Sequence, residues 1–502
     1  MKNFSFIALA LVLFVVIACC GCSHSNTSRA TSICENVKIY PDYTDITVPP
    51  NIAPLNFRID SEGTRFKVEF IGENGRLFSI STSKNVIIPM KKWRRLLREN
   101  IGKSYKIQIY RKQAGVWEKF PTITNRIAHD SIDPYLTYRL IHTAYEKVEY
   151  LRMQQRHLES FKTSDIINSS VVPNTCMNCH ITNAGNPNEF LMHFRRNVPA
   201  TIFYKDGEYR YVNTFTPEFS NPGVYPAWHP SGRFIAFSTN DRILSFHTNA
   251  STRLETFDAN GNIAVFDLET NTMLATPQLF TPDPIQETFP TWSPDGKWLY
   301  FCRAYLPNFT GTNLAPEELL SLIKYDLYRI PFDEKNLLFG NIEIVVNARA
   351  MDKSVALPRV SPNGRFLTFA MFGYGTFPTW KKDSDIYLFD RQTSELKNLK
   401  EANSCDTESY LSWSSNSRWF VVSSKRRNGL ISLPYFSYID SSGNASKPFL
   451  LPQKNPNFYE TWLFSYNVPE LVKGKTRTNI YDFEKAIRAP AIKANFASTP
   501  TK

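Results

Sequence analysis

The second half of the chain repeats one pattern of apolar and polar positions. Four copies each read as strand, tight turn and strand, and they are YPAWHPSGRFIAF (225–237), FPTWSPDGKWLYF (289–301), LPRVSPNGRFLTF (357–369) and YLSWSSNSRWFVV (410–422). In most copies a proline near the start of the turn fixes φ, and the small or polar residues that follow allow the chain to reverse. The copies recur at a fairly even spacing along the chain. Because this spacing suits a four-stranded blade with loop insertions, the pattern predicts a β-propeller.

The number of blades is less clear from the sequence than their existence. Four copies are visible, whereas closure of such a ring commonly takes six or seven blades. Segments 201–219 and 459–468 are candidates for a divergent or shared blade. We therefore predict a propeller of about six blades over residues 201–470.

The remaining segments carry other patterns. Short runs of alternating apolar and polar residues predict an N-terminal antiparallel β-sandwich over residues 35–130. Segment 134–161 has apolar residues at helix-like spacing, so residues 131–200 are predicted as a helical linker that leads into a polar loop. The tail, 471–502, is predicted to form a short helix near 481–488 and a frayed end. The predicted fold class is all-β.

Composition supports this assignment and narrows the function. The 502 residues are 42% hydrophobic and 21% charged, as in ordinary globular proteins, and the 14% aromatic content with 32 Pro against 20 Gly favours short strands and turns. The net charge of +12 is mild and dispersed along the chain. It therefore does not indicate nucleic-acid binding.

The first residues form an export signal. A short positive start at Lys2 is followed by apolar residues 4–18 and then by three cysteines, of which Cys19 is the first. About 15 apolar residues cannot cross a hydrocarbon core of roughly 30 Å, so the segment is a signal peptide and not a membrane span. One interpretation is an ordinary cleaved signal peptide, in which the cysteines that follow have no role in processing.

The segment Val16-Ile17-Ala18-Cys19 resembles the lipobox of bacterial lipoproteins. The resemblance implies cleavage after residue 18 and acylation of Cys19, with Cys22 as second choice. Residues 19–34 would then be a flexible tether on a membrane-anchored protein of the cell envelope, facing the periplasm or the surface, with the outer membrane as the expected membrane.

One motif carries chemistry. Cys176-Met177-Asn178-Cys179-His180 is the attachment signature of c-type haem. The two-residue spacing lets both thiols add across the haem vinyl groups as thioethers, and the adjacent His180 becomes an axial iron ligand. Because covalent haem is attached outside the cytoplasm, the export signal supports the motif independently. The sequence predicts one covalent haem c.

Other interpretations of the two cysteines stay open at this point. A zinc site needs two further ligands, and no second Cys-x-x-Cys occurs in the chain. A thioredoxin-type redox pair normally lies at a strand-to-helix turn. A structural disulfide between Cys176 and Cys179 is the third alternative.

The second axial ligand has two candidates. Met192 and His193 follow His180 a short way along the chain, and either could close the iron site. Met192 could instead be core packing, and an open sixth position would permit ligand or peroxide chemistry. Arg195 or Arg196 could pair with the haem propionates.

No catalytic motif of a hydrolase is present, since Gly-x-Ser-x-Gly and His-Glu-x-x-His are both absent from the sequence. His229 is interpreted as a turn substitution. Cys302, in an apolar run, is interpreted as a buried free thiol.

The blade motif resembles the TolB-like propeller family over about residues 200–470. The combination of sandwich, Cys-x-x-Cys-His segment and propeller is similar to exported TolB-like lipoproteins that often carry a cytochrome-biogenesis label. The leading hypothesis is a lipid-anchored haem protein that passes single electrons, with a redox protein or an envelope ligand docked on the propeller face. The alternatives are a non-redox scaffold or binding lipoprotein and a peroxidase-type haem enzyme.

Overall fold

The fold comes from a computed structural model that describes residues 27–143, 148–171, 175–196, 199–219, 221–246, 254–281, 284–306 and 316–499. The predicted signal peptide and the acylation candidate Cys19 lie outside these residues. The regular secondary structure of the described residues is almost entirely strand, which confirms the all-β class. No helix in the described ranges is long and apolar enough to cross a membrane.

The N-terminal domain holds two sheets and one helix. A seven-stranded sheet is built from β1, β3, β5, β6, β8, β9 and β10, and a three-stranded sheet has the order β2-β4-β7. The elements are β1 (Thr31–Ser32), β2 (Ile39–Tyr40), β3 (Thr47–Val48), β4 (Phe57–Ile59), β5 (Arg65–Gly72), β6 (Gly75–Thr82), β7 (Asn85–Val86), α1 (Met90–Glu99), β8 (Ser104–Gln113), β9 (Val116–Lys119) and β10 (Ile123–Ile127). The predicted β-structure of this segment is confirmed, helix α1 is an addition, and the parallel pairs β1-β9 and β10-β3 depart from the antiparallel prediction.

Helix α1 is amphipathic and covers the domain core. It buries Trp93, Leu96 and Leu97 and leaves its basic residues in solvent. The indole Nε1 of Trp93 donates a hydrogen bond to the carbonyl of Ile52 at 2.9 Å. A single apolar core continues from this domain into the last blades of the propeller, where Trp419 belongs to it.

The segment predicted as a helical linker forms strands instead. It contains β11 (Tyr135–His142), β12 (Arg152–His157), β13 (Thr163–Asn168), β14 (Thr175–Asn183) and β15 (Asn186–Arg196). Leu136, Tyr138 and Leu140 of β11 are all buried in one core, and their spacing of two residues is that of a strand face. The helix prediction was wrong because a strand that is buried on both faces also satisfies a helix-like apolar spacing.

Six sheets form the propeller. The blades are numbered in the order in which their innermost strands occur along the chain. Blade 1 adds β16 (Ala200–Lys205) and β17 (Glu208–Asn213) to β14 and β15. Blade 2 has β18 (Val224–Trp228), β19 (Phe234–Phe246), β20 (Leu254–Asp267) and β21 (Thr272–Ala275). Blade 3 has β22 (Ile285–Trp292), β23 (Trp298–Tyr305), β24 (Asp326–Asp333), β25 (Leu338–Phe339) and β26 (Glu343–Val346), with helix α2 (Pro316–Ser321) between β23 and β24.

The last three blades complete the ring. Blade 4 has β27 (Ser354–Val360), β28 (Phe366–Phe372), β29 (Asp385–Asp390) and β30 (Glu395–Asn398), and blade 5 has β31 (Glu408–Trp413), β32 (Trp419–Ser424), β33 (Leu433–Tyr438) and β34 (Phe449–Leu450). Blade 6 joins β35 (Phe464–Val472) as inner strand to β11, β12 and β13. The late strand thus closes the ring on strands formed much earlier in the chain, and Val472 lies opposite Tyr135 in the pairing.

The ring therefore begins near residue 135 and not at 201. The inner strands contact one another in the order β14, β18, β22, β27, β31, β35 and back to β14. Segment 201–219 supplies outer strands of blade 1, and segment 459–468 leads into the inner strand of the closing blade. The prediction of about six blades is confirmed.

The C-terminal tail is bound to the outside of the ring. Helix α3 (Ile480–Arg488) buries Phe483 and Ile487 and confirms the predicted short helix. The predicted frayed end is wrong, because β36 (Ile492–Lys493) pairs with β17 and β37 (Asn495–Ser498) pairs with β21. The tail extends the outer edges of two blades.

Candidate functional site

The inner strands of the propeller enclose a channel with two cavities. The larger of the two, named the upper cavity, has a volume of about 490 Å³. A second, the lower cavity, is about 400 Å³ and lies where the inner strands run into their turns. His180, Arg359, Tyr410 and Val468 line both cavities and so form the waist between them.

The Cys-x-x-Cys-His motif lies on the inner strand of blade 1, not on the polar loop expected from the sequence. In all six inner strands, two consecutive residues face a single residue of the next strand, which is a β-bulge. In β18 these residues are Tyr225 and Pro226, and in β14 they are Asn178 and Cys179. The motif is therefore a divergent copy of the blade repeat.

This bulge turns both cysteines toward the upper cavity. On a regular strand, residues three apart point to opposite faces of the sheet. The extra residue in β14 changes this alternation between Met177 and His180. As a result, Cys176 and Cys179 both line the upper cavity, and His180 lines it beside them.

The thiols are free and half-buried. The structure thus does not place them in a disulfide. Among the described residues, no group of three His, Cys, Asp or Glu side chains is arranged to hold a metal ion. The zinc alternative therefore finds no further ligand in this part of the chain.

The imidazole of His180 is buried, and only part of its hydrogen-bonding capacity is used. The side chain is 4% exposed, and its Nε2 is buried without a hydrogen-bond partner. The backbone of Val468 hydrogen-bonds the ring. Burial, helped by the positive charge of Arg139, lowers the pKa of His180 to about 3. The ring is therefore neutral near pH 7, and a backbone contact to a ligating imidazole is the usual way to orient it.

The upper cavity is positively charged. Arg139, Arg195, Arg242 and Arg359 line it, and no aspartate or glutamate is among its described lining residues. Arg139 donates hydrogen bonds to the carbonyl of Met177 at 2.7 Å and to Oδ1 of Asn467 at 2.6 Å. The side chain of Arg196 is outside the described part, so only Arg195 of the predicted pair can be placed.

The rest of the upper cavity is largely apolar and aromatic. Its large side chains are Tyr225, Phe289, Leu357, Phe377, Trp380 and Tyr410. Flat aromatic walls with several guanidinium groups suit a ligand that has a large apolar ring and negatively charged substituents.

The two candidates for the second axial ligand do not reach this cavity. Met192 is 1% exposed and packs in a core with Met177 and Phe194. His193 is 2% exposed, and its Nδ1 lies 3.0 Å from Oγ1 of Thr201. Burial lowers the pKa of His193 to about 3. Neither residue is among the described residues that line the upper cavity.

Other residues singled out in the sequence have structural roles. His229 lies in a turn, where its two ring nitrogens contact Oγ of Ser231 at 2.7 Å and the carbonyl of Gly296 at 3.1 Å. Cys302 is fully buried and free, as expected. The arginines at 139, 242 and 359 were missed because they come from other blades, and only the closed ring brings them to the motif.

Comparisons with known proteins identify no family for this chain. No known family and no curated protein sequence matches the chain. Among solved structures, the tricorn protease is 11% identical with a TM-score of 0.32, and the match covers 76% of this chain and 36% of that chain. Prolyl oligopeptidase B from Galerina marginata is 11% identical with a TM-score of 0.33, and the match covers 68% of this chain and 42% of that chain.

A third structure, of oligogalacturonate lyase in complex with manganese, is 10% identical with a TM-score of 0.34 and covers 62% of this chain and 72% of that chain. The present chain thus spans under half of the tricorn protease and prolyl oligopeptidase chains. At these identities and TM-scores, the matches support no conclusion about this chain. Fold and site together define an all-β protein with a six-bladed propeller and a Cys-x-x-Cys-His strand in its channel wall.

Proposed function

We propose that the protein is a c-type haem protein of the cell envelope that passes single electrons. Cys176 and Cys179 would hold one haem through thioether bonds, and His180 would be its axial ligand. The observation that carries this proposal is the buried, unpartnered Nε2 of His180 beside both thiols on the wall of the upper cavity.

The cavity fits the group in size and chemistry. A volume of about 490 Å³ lies within the range of cofactor sites. Its aromatic walls would exclude water, and its arginines would offset the negative charge of the propionates. When bound, haem supplies an iron that changes oxidation state by one electron. The chain's own part is to orient His180 through Val468 and to shield the iron from solvent.

The leader completes the proposal. Acylation at Cys19 would anchor the protein to a bacterial membrane, and residues 19–34 would tether the N-terminal domain to it. A redox protein or an envelope ligand would dock on a face of the TolB-like propeller. The site then lies in the compartment where covalent haem is attached.

One observation favours a second candidate, a peroxidase-type haem enzyme. Neither Met192 nor His193 reaches the upper cavity, and the described lining holds no methionine and no histidine other than His180. A sixth iron position without a protein ligand is open to small molecules such as peroxide. Peroxide turnover by the loaded protein, compared with a Cys176→Ala/Cys179→Ala variant, separates this candidate from electron transfer alone.

The test of the main proposal is covalent haem. The full chain is expressed in a host with haem-attachment machinery, and absorption spectrum and intact mass are recorded. We expect a c-type spectrum and the added mass of one haem. Both should be lost in Cys176→Ala/Cys179→Ala and kept in Cys405→Ala, which removes an exposed thiol elsewhere. A folded, colourless wild-type protein would overturn the proposal and favour the scaffold alternative.

A further inference from the structure

The blade repeat gives His180 an equivalent residue in every other blade. In each inner strand, one residue directly follows the bulge and resumes the pairing with the next strand. These residues are His180, Ala227, Thr291, Arg359, Ser412 and Glu470. They lie at corresponding positions around one level of the channel.

Arg359 is the member of this set that stands across the channel from His180. Its blade 4 is three blades away from blade 1 in either direction around a ring of six. Both residues line both cavities, which places them on opposite walls of the same waist.

Arg359 is not salt-bridged to a carboxylate in the part of the chain that the structure describes, although Glu470 interacts with it electrostatically. One guanidinium nitrogen, Nη1, donates to the carbonyl of Pro358 at 2.9 Å. Glu470 is nearby, but its carboxylate already accepts hydrogen bonds from the backbone nitrogen and Oγ1 of Thr182, the latter at 2.7 Å. No ion pair of Arg359 occurs in the part of the chain that the structure describes. Arg359 is half-buried, and a half-buried guanidinium that lines a cavity without a salt-bridge partner favours a negatively charged ligand.

The positions of the substituents on the porphyrin ring determine which part of haem would reach Arg359. The vinyl groups, which react with the cysteines, and the two propionates lie at opposite edges of the porphyrin ring. If the vinyl edge is fixed to Cys176 and Cys179 on blade 1, the propionate edge points away from that blade. Blade 4 and Arg359 lie on the far side of the channel.

We propose that Arg359 binds a propionate carboxylate of the haem and thereby fixes the ring across the channel. This inference rests on the proposed function. A guanidinium can bind a carboxylate through two parallel hydrogen bonds, which adds orientation as well as affinity.

The other arginines of the upper cavity are less suited to this role. Arg195 lies directly opposite Cys176 in the sheet, on the wall that holds the vinyl edge. Arg139 is hydrogen-bonded to Met177 of β14, the strand that carries the two cysteines. Arg242 is an exposed residue near the end of β19. Arg359 alone of the four comes from the opposite wall.

The test measures reversible porphyrin binding. In a Cys176→Ala/Cys179→Ala background, iron protoporphyrin and its dimethyl ester are titrated into the protein, and the dissociation constant of each is determined from the absorption spectrum. Arg359→Met should weaken binding of the diacid roughly 10- to 100-fold, as expected for a lost hydrogen-bonded charge pair, and leave the diester nearly unchanged. Lys400→Met removes one exposed positive charge beside the outer strand of the same blade and should change neither.

The outcomes separate this inference from the proposed function. Equal effects on diacid and diester, no effect, or no porphyrin binding at all would overturn the role of Arg359, even if the wild-type chain carries covalent haem. A diacid-specific effect in a chain that never acquires covalent haem would support the anion site and overturn the c-type assignment. If Arg359→Met does not fold, Arg359→Lys keeps the charge and should retain preference for the diacid with weaker affinity.

Discussion

His180 of β14 and Met192 of β15 are direct partners in the antiparallel pairing of blade 1. Side chains of such partners leave the same face of the sheet and run side by side. Two axial ligands of one iron must approach it from opposite sides of the porphyrin. The pairing therefore disfavours Met192 as the partner of His180 on one iron.

The first prediction follows from the packing of Met192. Met192→Leu conserves volume and should leave the absorption spectrum and reduction potential of the haem-loaded protein unchanged. Met192→Ala opens a cavity in the core with Met177 and Phe194 and should lower the free energy of unfolding by about 2–5 kcal/mol. Urea denaturation measures the second effect. A changed iron spectrum in Met192→Leu would show that Met192 is a ligand after all.

Four of the six inner strands could be recognised in the sequence because their copies share an aromatic or apolar start and a turn. The copy in β14 escaped because the polar Asn178 and Cys179 stand where Tyr225 and Pro226 stand in β18. Its turn still carries a glycine, and Gly185 there and Gly232 after β18 both adopt positive φ, at 72° and 73°. The closing blade could not be predicted, since β35 near the end of the chain pairs with β11, which precedes the motif.

The candidate site was predictable only where its residues are close in the chain. The spacing of Cys176, Cys179 and His180 showed the motif without any structure. Arg359 gave no such signal, because an arginine in a strand is ordinarily a solvated residue. Only the closed ring of six blades brings it opposite His180. Local spacing alone does not decide the role of Met192, since the bulge and pairing of a strand determine which way a side chain points.

A second prediction concerns the ion pair that links blade 2 to blade 4. The ammonium of Lys381 pairs with Glu255 of β20, and both side chains are nearly buried, at 9% and 7% exposure. The hydroxyl of Tyr374 donates to the same carboxylate at 2.8 Å. Lys381→Met removes the ammonium and should lower the free energy of unfolding by about 3 kcal/mol, because the buried carboxylate of Glu255 loses its charged partner.

The control for this pair is the double variant. Lys381→Met/Glu255→Gln removes both charges, so it should be less destabilised than the sum of the two single variants. Urea denaturation of the four proteins gives the coupling. Additive effects would show that the two charges do not stabilise each other.

A third prediction concerns the core shared by the N-terminal domain and the propeller. Trp419 of blade 5 is fully buried in it, and its Nε1 donates to the carbonyl of Asp130 at 2.8 Å. Trp419→Ala should lower the free energy of unfolding by about 3–5 kcal/mol. The N-terminal domain should lose structure in the same transition as the propeller, because both depend on one core. Calorimetry checks this, with Tyr481→Ala as a control at a 77% exposed aromatic residue, where a change within about 0.5 kcal/mol is expected. Two separated transitions in the wild type would contradict it.

The last prediction concerns the pH dependence of stability and the buried carboxyl of Asp258. Burial raises the pKa of Asp258 from an ordinary value of 3.8 to about 7, against the opposing effect of Arg242. Nδ2 of Asn240 donates a hydrogen bond to it at 2.5 Å. Between about pH 4 and pH 7 the folded protein therefore holds a proton that the unfolded chain has released. Since the folded state then binds more protons, the free energy of unfolding falls as the pH rises through this interval.

Asp258→Asn removes this titration and keeps the shape of the side chain. The variant should match the wild type near pH 4 and become increasingly more stable than it up to about pH 7, as measured by urea denaturation at a series of pH values. Asp390 provides a control of opposite sign, because hydrogen bonds from Arg365 lower the pKa of its carboxyl. Its contribution is present above the ordinary pKa of an aspartate and is lost as the pH falls, so Asp390→Asn should be destabilised near pH 7 and approach the wild type in acid. Parallel pH profiles for Asp258→Asn and the wild type would show that Asp258 is ionised in the folded protein and that its site is more polar than its burial indicates.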